Sequence, residues 1–186
     1  MIQNDYDLKF KEIILKYEKK INCDNIYYID PIKHKDMILN HYLKLSKEDL
    51  FMRFNFIINK YSIEKYILSL SKKSSFILGY IKNNEIIGIC ETVQSENDLS
   101  QVEIGISVIN SFRKDNIGKN LFIHSFFIAN QLSYNKIRVD FLRKNEIILS
   151  WIKSLNLAYN NKYNEAYLIF PTFYGNIKNI KKYKER

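Results

Sequence analysis

The sequence predicts an α+β protein, with helices on both faces of one mixed, mostly antiparallel central sheet. Three observations carry this. Three apolar, β-rich runs follow one another: Ser75 to Ile81, Ile86 to Val93 and Gln101 to Val108. Helical periodicity precedes them, and strand-like and helical runs alternate after them. No internal repeat or linker divides the chain, and 186 residues suffice for one domain, or one domain with an extension, without disulfides or metals.

Residues 5 to 20 read as an amphipathic helix, with Phe10, Ile13, Ile14, Tyr17 and Ile21 on one face. Asn25 to Asp30 reads as a strand closed by Pro31. A helical pattern runs from Lys33 to Leu45. Ser46 starts the next helix, with Asp49 at the capping-box position, and Ser62 is the candidate cap of another. Asn83 and Asn84 between the first two β-rich runs suit a tight hairpin that needs positive φ.

Ile117 to Leu132 reads as a helix with Leu121, Phe122, Ser125, Phe126, Ala129 and Leu132 on one face, which leaves His124 at the surface. Lys136 to Phe141 is a strand and Asn145 to Leu155 a helix. Leu157 to Asn160 and Glu165 to Phe170 read as a last strand pair.

The formal net charge of +9 suits a polyanionic ligand: coenzyme A, nucleic acid or an acidic protein surface. No nucleic-acid-binding motif accompanies it, so nucleic acid is the least favoured. The Lys-rich end, Lys178 to Lys184, reads as a solvated tail. Cys23 and Cys90 form no metal-type spacing, and no metal site is expected; Cys90 reads as a small core hydrophobe. The N-terminus does not read as a signal peptide, and no run approaches the length of a membrane span, so a cytoplasmic protein is expected.

The segment Val108 to Leu121 leads from a strand, through Arg113, Asn116 and Gly118, into a helix. Backbone N–H groups at a helix N-terminus lack intrahelical partners, and the helix dipole favours an anion there. Gly118 would let a phosphate approach, while Arg113 and Lys119 would add charge. The same segment would also serve as a charged loop before an ordinary surface helix.

This segment resembles the diphosphate-binding motif of the GNAT superfamily of acyl-CoA-dependent N-acetyltransferases, Arg/Gln-x-x-Gly-x-Gly/Ala. Asn116 replaces the first glycine and is the non-glycine residue that best tolerates positive φ. Leu45 to Phe54 resembles the Leu-Ser-x-Glu-x-x-x-x-Arg-Phe helix of the branch that contains the bacterial protein-lysine acetyltransferases. Gln101 to Ile106 resembles that branch's Ala-Glu-Phe-Ala strand, and Asn145 to Leu157 its Asn-containing helix.

The resemblance implies the GNAT fold over residues 25–175, after a helical extension (1–24) and before a basic tail (176–186). It also implies acetyl-CoA as co-substrate and a primary amine as acceptor, a protein lysine or a small molecule. The backbone of Val108 would pair with the pantetheine arm. Arg113, Asn116, Ile117, Gly118 and Lys119 would hold the diphosphate, and Asn145 would contact the arm or cap its helix.

Acetyl transfer to an amine requires loss of the ammonium proton, a donor for the oxyanion and departure of the thiolate. Glu103 is the candidate base: it matches the family Glu, and burial between Val102 and Ile104 would make it a better proton acceptor. The bland alternative is a Glu on a solvent-facing strand side. Glu91 and Glu96 stand in reserve. Ile152 occupies the place of the family's Tyr acid, with Trp151 beside it, and Ser150 is the candidate substitute. Phe51, Phe54 and Tyr174 are candidates for lining an acceptor cleft, while His34 and His41 have no identifiable nucleophile partner. The weakened loop and the missing Tyr also fit a non-catalytic module of this fold that binds acyl-CoA or acts through protein contacts.

Overall fold

The computed structural model describes residues 25–140, 146–154 and 165–169. The helix expected over 5–20, the strand over 157–160, Tyr174, Asn145 and the basic tail lie outside the described residues.

A short strand β1 (Ile26–Tyr28) is followed by helices α1 (Lys35–Leu43), α2 (Lys47–Phe54) and α3 (Lys60–Lys73). Three long strands come next: β2 (Ser74–Lys82), β3 (Glu85–Gln94) and β4 (Gln101–Val108). A 3-10 turn (Asn110–Asp115) leads into α4 (Ile117–Gln131), β5 (Lys136–Asp140), α5 (Glu146–Ser154) and β6 (Glu165–Ile169). The strands lie side by side in the order β1-β2-β3-β4-β5-β6. All neighbours are antiparallel except β4 and β5, which run parallel.

Local chemistry sets most of these boundaries. The β2–β3 hairpin turns on Asn83 (φ 52°) and Asn84 (φ 60°), as expected of a turn with two positive-φ residues. Ser46 caps α2 by accepting the Asp49 N–H at 3.0 Å. Ser62 does not cap α3. The side chain of Asn59 does so, accepting the Ser62 N–H at 2.9 Å, and the helix therefore begins at Lys60.

β3 is the centre of the core and is buried on both faces, which explains its continuous apolar run. On one face its Glu91 meets Tyr42 of α1 and Arg53 of α2. On the other its Cys90 accepts the Ser125 hydroxyl of α4 at 2.9 Å. Burial pushes the Cys90 thiol up to about 12, so it stays protonated and packs as a small hydrophobe.

α4 departs from the expectation of a single buried face. Leu121, Phe122, Ser125, Phe126 and Ala129 are buried, but so are Ile123, His124, Phe127 and Ile128, while Leu132 is exposed. His124 is therefore not a surface residue: its Nδ1 lies 2.7 Å from the Asn120 carbonyl and donates to it. Desolvation lowers its pKa. Phe122 packs against Trp151 of α5, with ring centroids 6.0 Å apart.

Candidate functional site

The parallel pairing of β4 with β5 is short. It covers Gln101, Val102 and Glu103 opposite Lys136, Ile137 and Arg138. β4 then continues to Val108 bonded to β3, while Val139 and Asp140 of β5 pair with Ala166 and Glu165 of β6. The two strands part after Glu103, and a cleft opens between them.

One cavity of the cleft, about 440 Å³, is lined by Ile106, Ser107 and Val108 of β4, by Arg113 and Gly118 beyond it, and by Trp151 of α5. A second, about 330 Å³, is lined by Glu103 and Gly105 of β4, Val139 of β5, Phe54 and Tyr66. Met52, Arg53, Ile106 and Ile148 belong to both, so the two form one continuous groove.

The loop at the head of the groove turns through one left-handed residue into α4. Asn116 takes φ 57°, the left-handed conformation expected of it as a glycine substitute. The first bond of α4 runs from the Asn120 N–H to the Asn116 carbonyl at 2.9 Å. The amides of Ile117, Gly118 and Lys119 precede it in the first turn of the helix.

The side chains here differ in reach. Ile117 is buried against Gly88, so only its backbone faces a ligand. Lys119 is partly exposed in the first turn. Arg113 Nη2 pairs with Asp49 at 2.6 Å, and its Nε donates to the Val108 carbonyl at 3.2 Å. Burial acts to raise the Asp49 carboxyl, but the hydrogen bonds from Arg113 and Ser46 outweigh it and hold the pKa low. Gly118 is required for a reason the sequence did not show: a Cβ there would lie 2.7 Å from Trp151 Cη2. The close approach that needs glycine is that of an indole.

Two expectations about catalytic groups are corrected. Glu103 is not buried: its side chain is 46% exposed, and it pairs with Arg138 Nη1 at 3.5 Å. Val102 and Ile104, its buried neighbours, point to the opposite sheet face, because side chains alternate along a strand. Glu103, Gly105 and Ser107 share the face on which Glu91 lies, since Gly105 is paired with Glu91 in the ladder. Ser150 does not face the groove: it is exposed, and its hydroxyl donates to the Ile147 carbonyl at 2.7 Å.

Among the reserve carboxylates, Glu96 is exposed in the β3–β4 loop. Glu91 is fully buried and takes one hydrogen bond from the Tyr42 hydroxyl and another from the Arg53 guanidinium. Each of its two oxygens is engaged by one of these donors. Arg53 also donates to the Tyr66 hydroxyl at 2.8 Å and lies over Gly105, where a Cβ would overlap the guanidinium. Burial disfavours the Arg53 charge, but Glu91 outweighs it and holds Arg53 firmly protonated. Burial raises Tyr42 and Tyr66, so both phenols remain neutral donors.

His41 proves to have a hydroxyl partner. It is buried in α1, with Nδ1 2.9 Å from the Ile86 carbonyl and Nε2 2.8 Å from Ser107 Oγ. Desolvation brings its pKa from 6.5 down to about 4; the Ile86 carbonyl and Glu91 oppose this, while Arg53 and Lys44 add to it. The unfolded chain therefore binds this proton at a higher pH than the folded one. Stability from this group is complete above about pH 6.5 and is lost progressively down to about pH 4, by roughly 3 kcal/mol. In chemical denaturation, the stability gap between wild type and His41→Gln is expected to narrow by that order from pH 7 to pH 4. A constant gap would contradict the buried neutral imidazole.

Comparison with known proteins establishes the fold. No protein-family model and no curated protein matches the sequence. Solved structures do match. The GNAT domain of S. lividans PAT superposes with TM-score 0.65 at 12% identity, over 78% of this chain and 88% of that one. Ribosomal-protein-alanine N-acetyltransferase from Brucella melitensis gives 0.62 at 11% identity, over 78% and 99%. The Salmonella typhimurium protein yncA, solved with its cofactor acetyl-CoA, gives 0.60 at 9% identity, over 83% and 96%. The chain has the GNAT fold, an α+β architecture. Among the described residues, no helix is long and apolar enough to cross a membrane, and no His/Cys/Asp/Glu cluster could hold a metal ion.

Proposed function

We propose that the protein is an acetyl-CoA-dependent N-acetyltransferase acting on a primary amine. The observation that carries this reading is the parting of β4 from β5 into a groove whose head is the N-terminus of α4. An amide-lined turn, a strand edge and a carboxylate follow one another along it. Acetyl-CoA offers a diphosphate, an amide-bearing arm and a thioester in the same order.

In this reading the diphosphate sits on the amides of Ile117, Gly118 and Lys119, with Arg113 exchanging part of its contact to Asp49 for a phosphate oxygen. The arm lies against Ile106, Ser107 and Val108, where a β4 backbone N–H polarises the thioester carbonyl. The amine enters from the second cavity. Glu103, half-exposed on its rim, takes the ammonium proton directly or through a water. Its exposure supports this role, because a proton taken from the amine must pass on to solvent. The amine then attacks the carbonyl carbon, the C–S bond breaks, and the departing thiolate takes up the proton that the nitrogen sheds as the amide forms. Arg138 orients the carboxylate. Asn145 completes the arm contacts in this reading, and Ser150 is not used.

The acceptor is a primary amine, a protein lysine or a small molecule, and the protein-lysine branch is the subgroup favoured by the Leu45 to Phe54 resemblance. The competing reading is a module that binds the coenzyme without turnover, and the Ser150 geometry favours it. Acetyl-CoA at a hundred times its Kd is expected to stabilise the protein by about 2.7 kcal/mol. Gly118→Asp, which sets a carboxylate and a Cβ in the turn, is expected to weaken binding at least tenfold, about 1.4 kcal/mol. Isothermal titration checks both. Equal affinity in a folded Gly118→Asp variant would place the diphosphate elsewhere, and binding without acetylation across an amine and peptide panel would favour the competing reading.

A further inference from the structure

The Ser107–His41 pair has a fixed polarity. The Ile86 carbonyl can only accept, so the hydrogen of the His41 ring sits on Nδ1. Nε2 then carries a lone pair and accepts the Ser107 hydroxyl proton at 2.8 Å. Burial keeps the imidazole neutral at working pH, so Nε2 does not become a donor. The one proton of Ser107 is thus directed away from the groove, and its two lone pairs remain. Ser107 is only half-buried and lines the cavity that also holds Val108, Arg113 and Gly118.

We propose that Ser107 is a dedicated hydrogen-bond acceptor in the groove, oriented by His41 to receive an amide N–H of the coenzyme arm. This rests on the acetyl-CoA reading of the groove. The arm is the partner rather than the amine, because Ser107 lines the cavity at the α4 end, whereas Glu103 lines the other. A hydroxyl free to rotate would serve an N–H or a C=O equally well. One whose proton is engaged discriminates, and a ligand lacking the N–H leaves its oxygen unpaired. His41 is accordingly a positioning residue. A nucleophilic Ser107 is the other chemistry this pair suggests, but it would require protonating a buried imidazole whose pKa lies near 4.

The test is a binding cycle with acetyl-CoA and two analogues in which one or the other arm amide N–H is replaced by an ester oxygen. Wild type is expected to bind one analogue about tenfold more weakly than acetyl-CoA. Ser107→Ala should bind that analogue and acetyl-CoA nearly equally, and His41→Phe should lose most of the discrimination. Ser107→Ala alone decides the matter if His41→Phe does not fold. Equal discrimination in wild type and Ser107→Ala would overturn the proposal and leave the coenzyme reading intact. No binding of acetyl-CoA by wild type would overturn that reading, and this proposal with it. An acetyl adduct on Ser107 in the intact mass spectrum would replace the acceptor role with a nucleophilic one.

Discussion

Arg53→Met is expected to destabilise the protein by about 3–5 kcal/mol, because it strands the fully buried Glu91 carboxylate without its cation, beside the Tyr42 and Tyr66 phenols. In a chain of this length that is a fall in Tm of roughly 6 to 20 °C. The pair is weak support for stability when intact, since both charges were desolvated to form it, but breaking one side exposes that full desolvation cost. The double variant Arg53→Met/Glu91→Met should therefore recover part of the loss, giving strong non-additivity in denaturant melts. Single and double variants whose effects simply add, each under about 1 kcal/mol, would contradict a buried ion pair.

Glu103→Gln should do the opposite: leave the fold nearly untouched and slow acetyl transfer about a hundredfold or more. Its ion pair with Arg138 is half-exposed and 3.5 Å long, which places it among surface pairs that contribute at most about 1 kcal/mol. Coenzyme affinity should hardly change, because Glu103 lines the second cavity and not the one at the α4 end. The rate defect should shrink at high pH, where the amine is already deprotonated. Steady-state kinetics with thermal melts separate the two effects, and full activity at neutral pH would remove Glu103 from the mechanism.

What the sequence revealed was chiefly what local chemistry decides. Asn83, Asn84 and Asn116 all sit at positive φ, as short polar side chains at tight turns should. Ser46 caps its helix, and the β4 boundaries coincide with the expected run. The alternation at Val102, Glu103 and Ile104 was visible too, but which side of β4 would meet solvent was not, because that depends on how far β5 follows it.

What escaped was tertiary. Arg53 and Glu91 are 38 residues apart, and His41 and Ser107 are 66 apart. Nothing in either segment announces its partner. The all-round burial of α4 did have a signal: Phe122-Ile123 and Phe126-Phe127-Ile128 put apolar residues on more than one face, the pattern of a buried helix. Gly118 was read as a place where a phosphate could approach the backbone; the neighbour the structure puts beside it is Trp151, supplied by a helix far along the chain.

The most direct test of the account is a crystal structure of the protein with coenzyme A bound. The diphosphate is expected on the amides of Ile117 to Lys119, with the arm along Ile106 to Val108 and the sulfur at the junction of the two cavities, on the side of Glu103. Coenzyme bound outside the β4–β5 groove, or with its diphosphate remote from the start of α4, would contradict it.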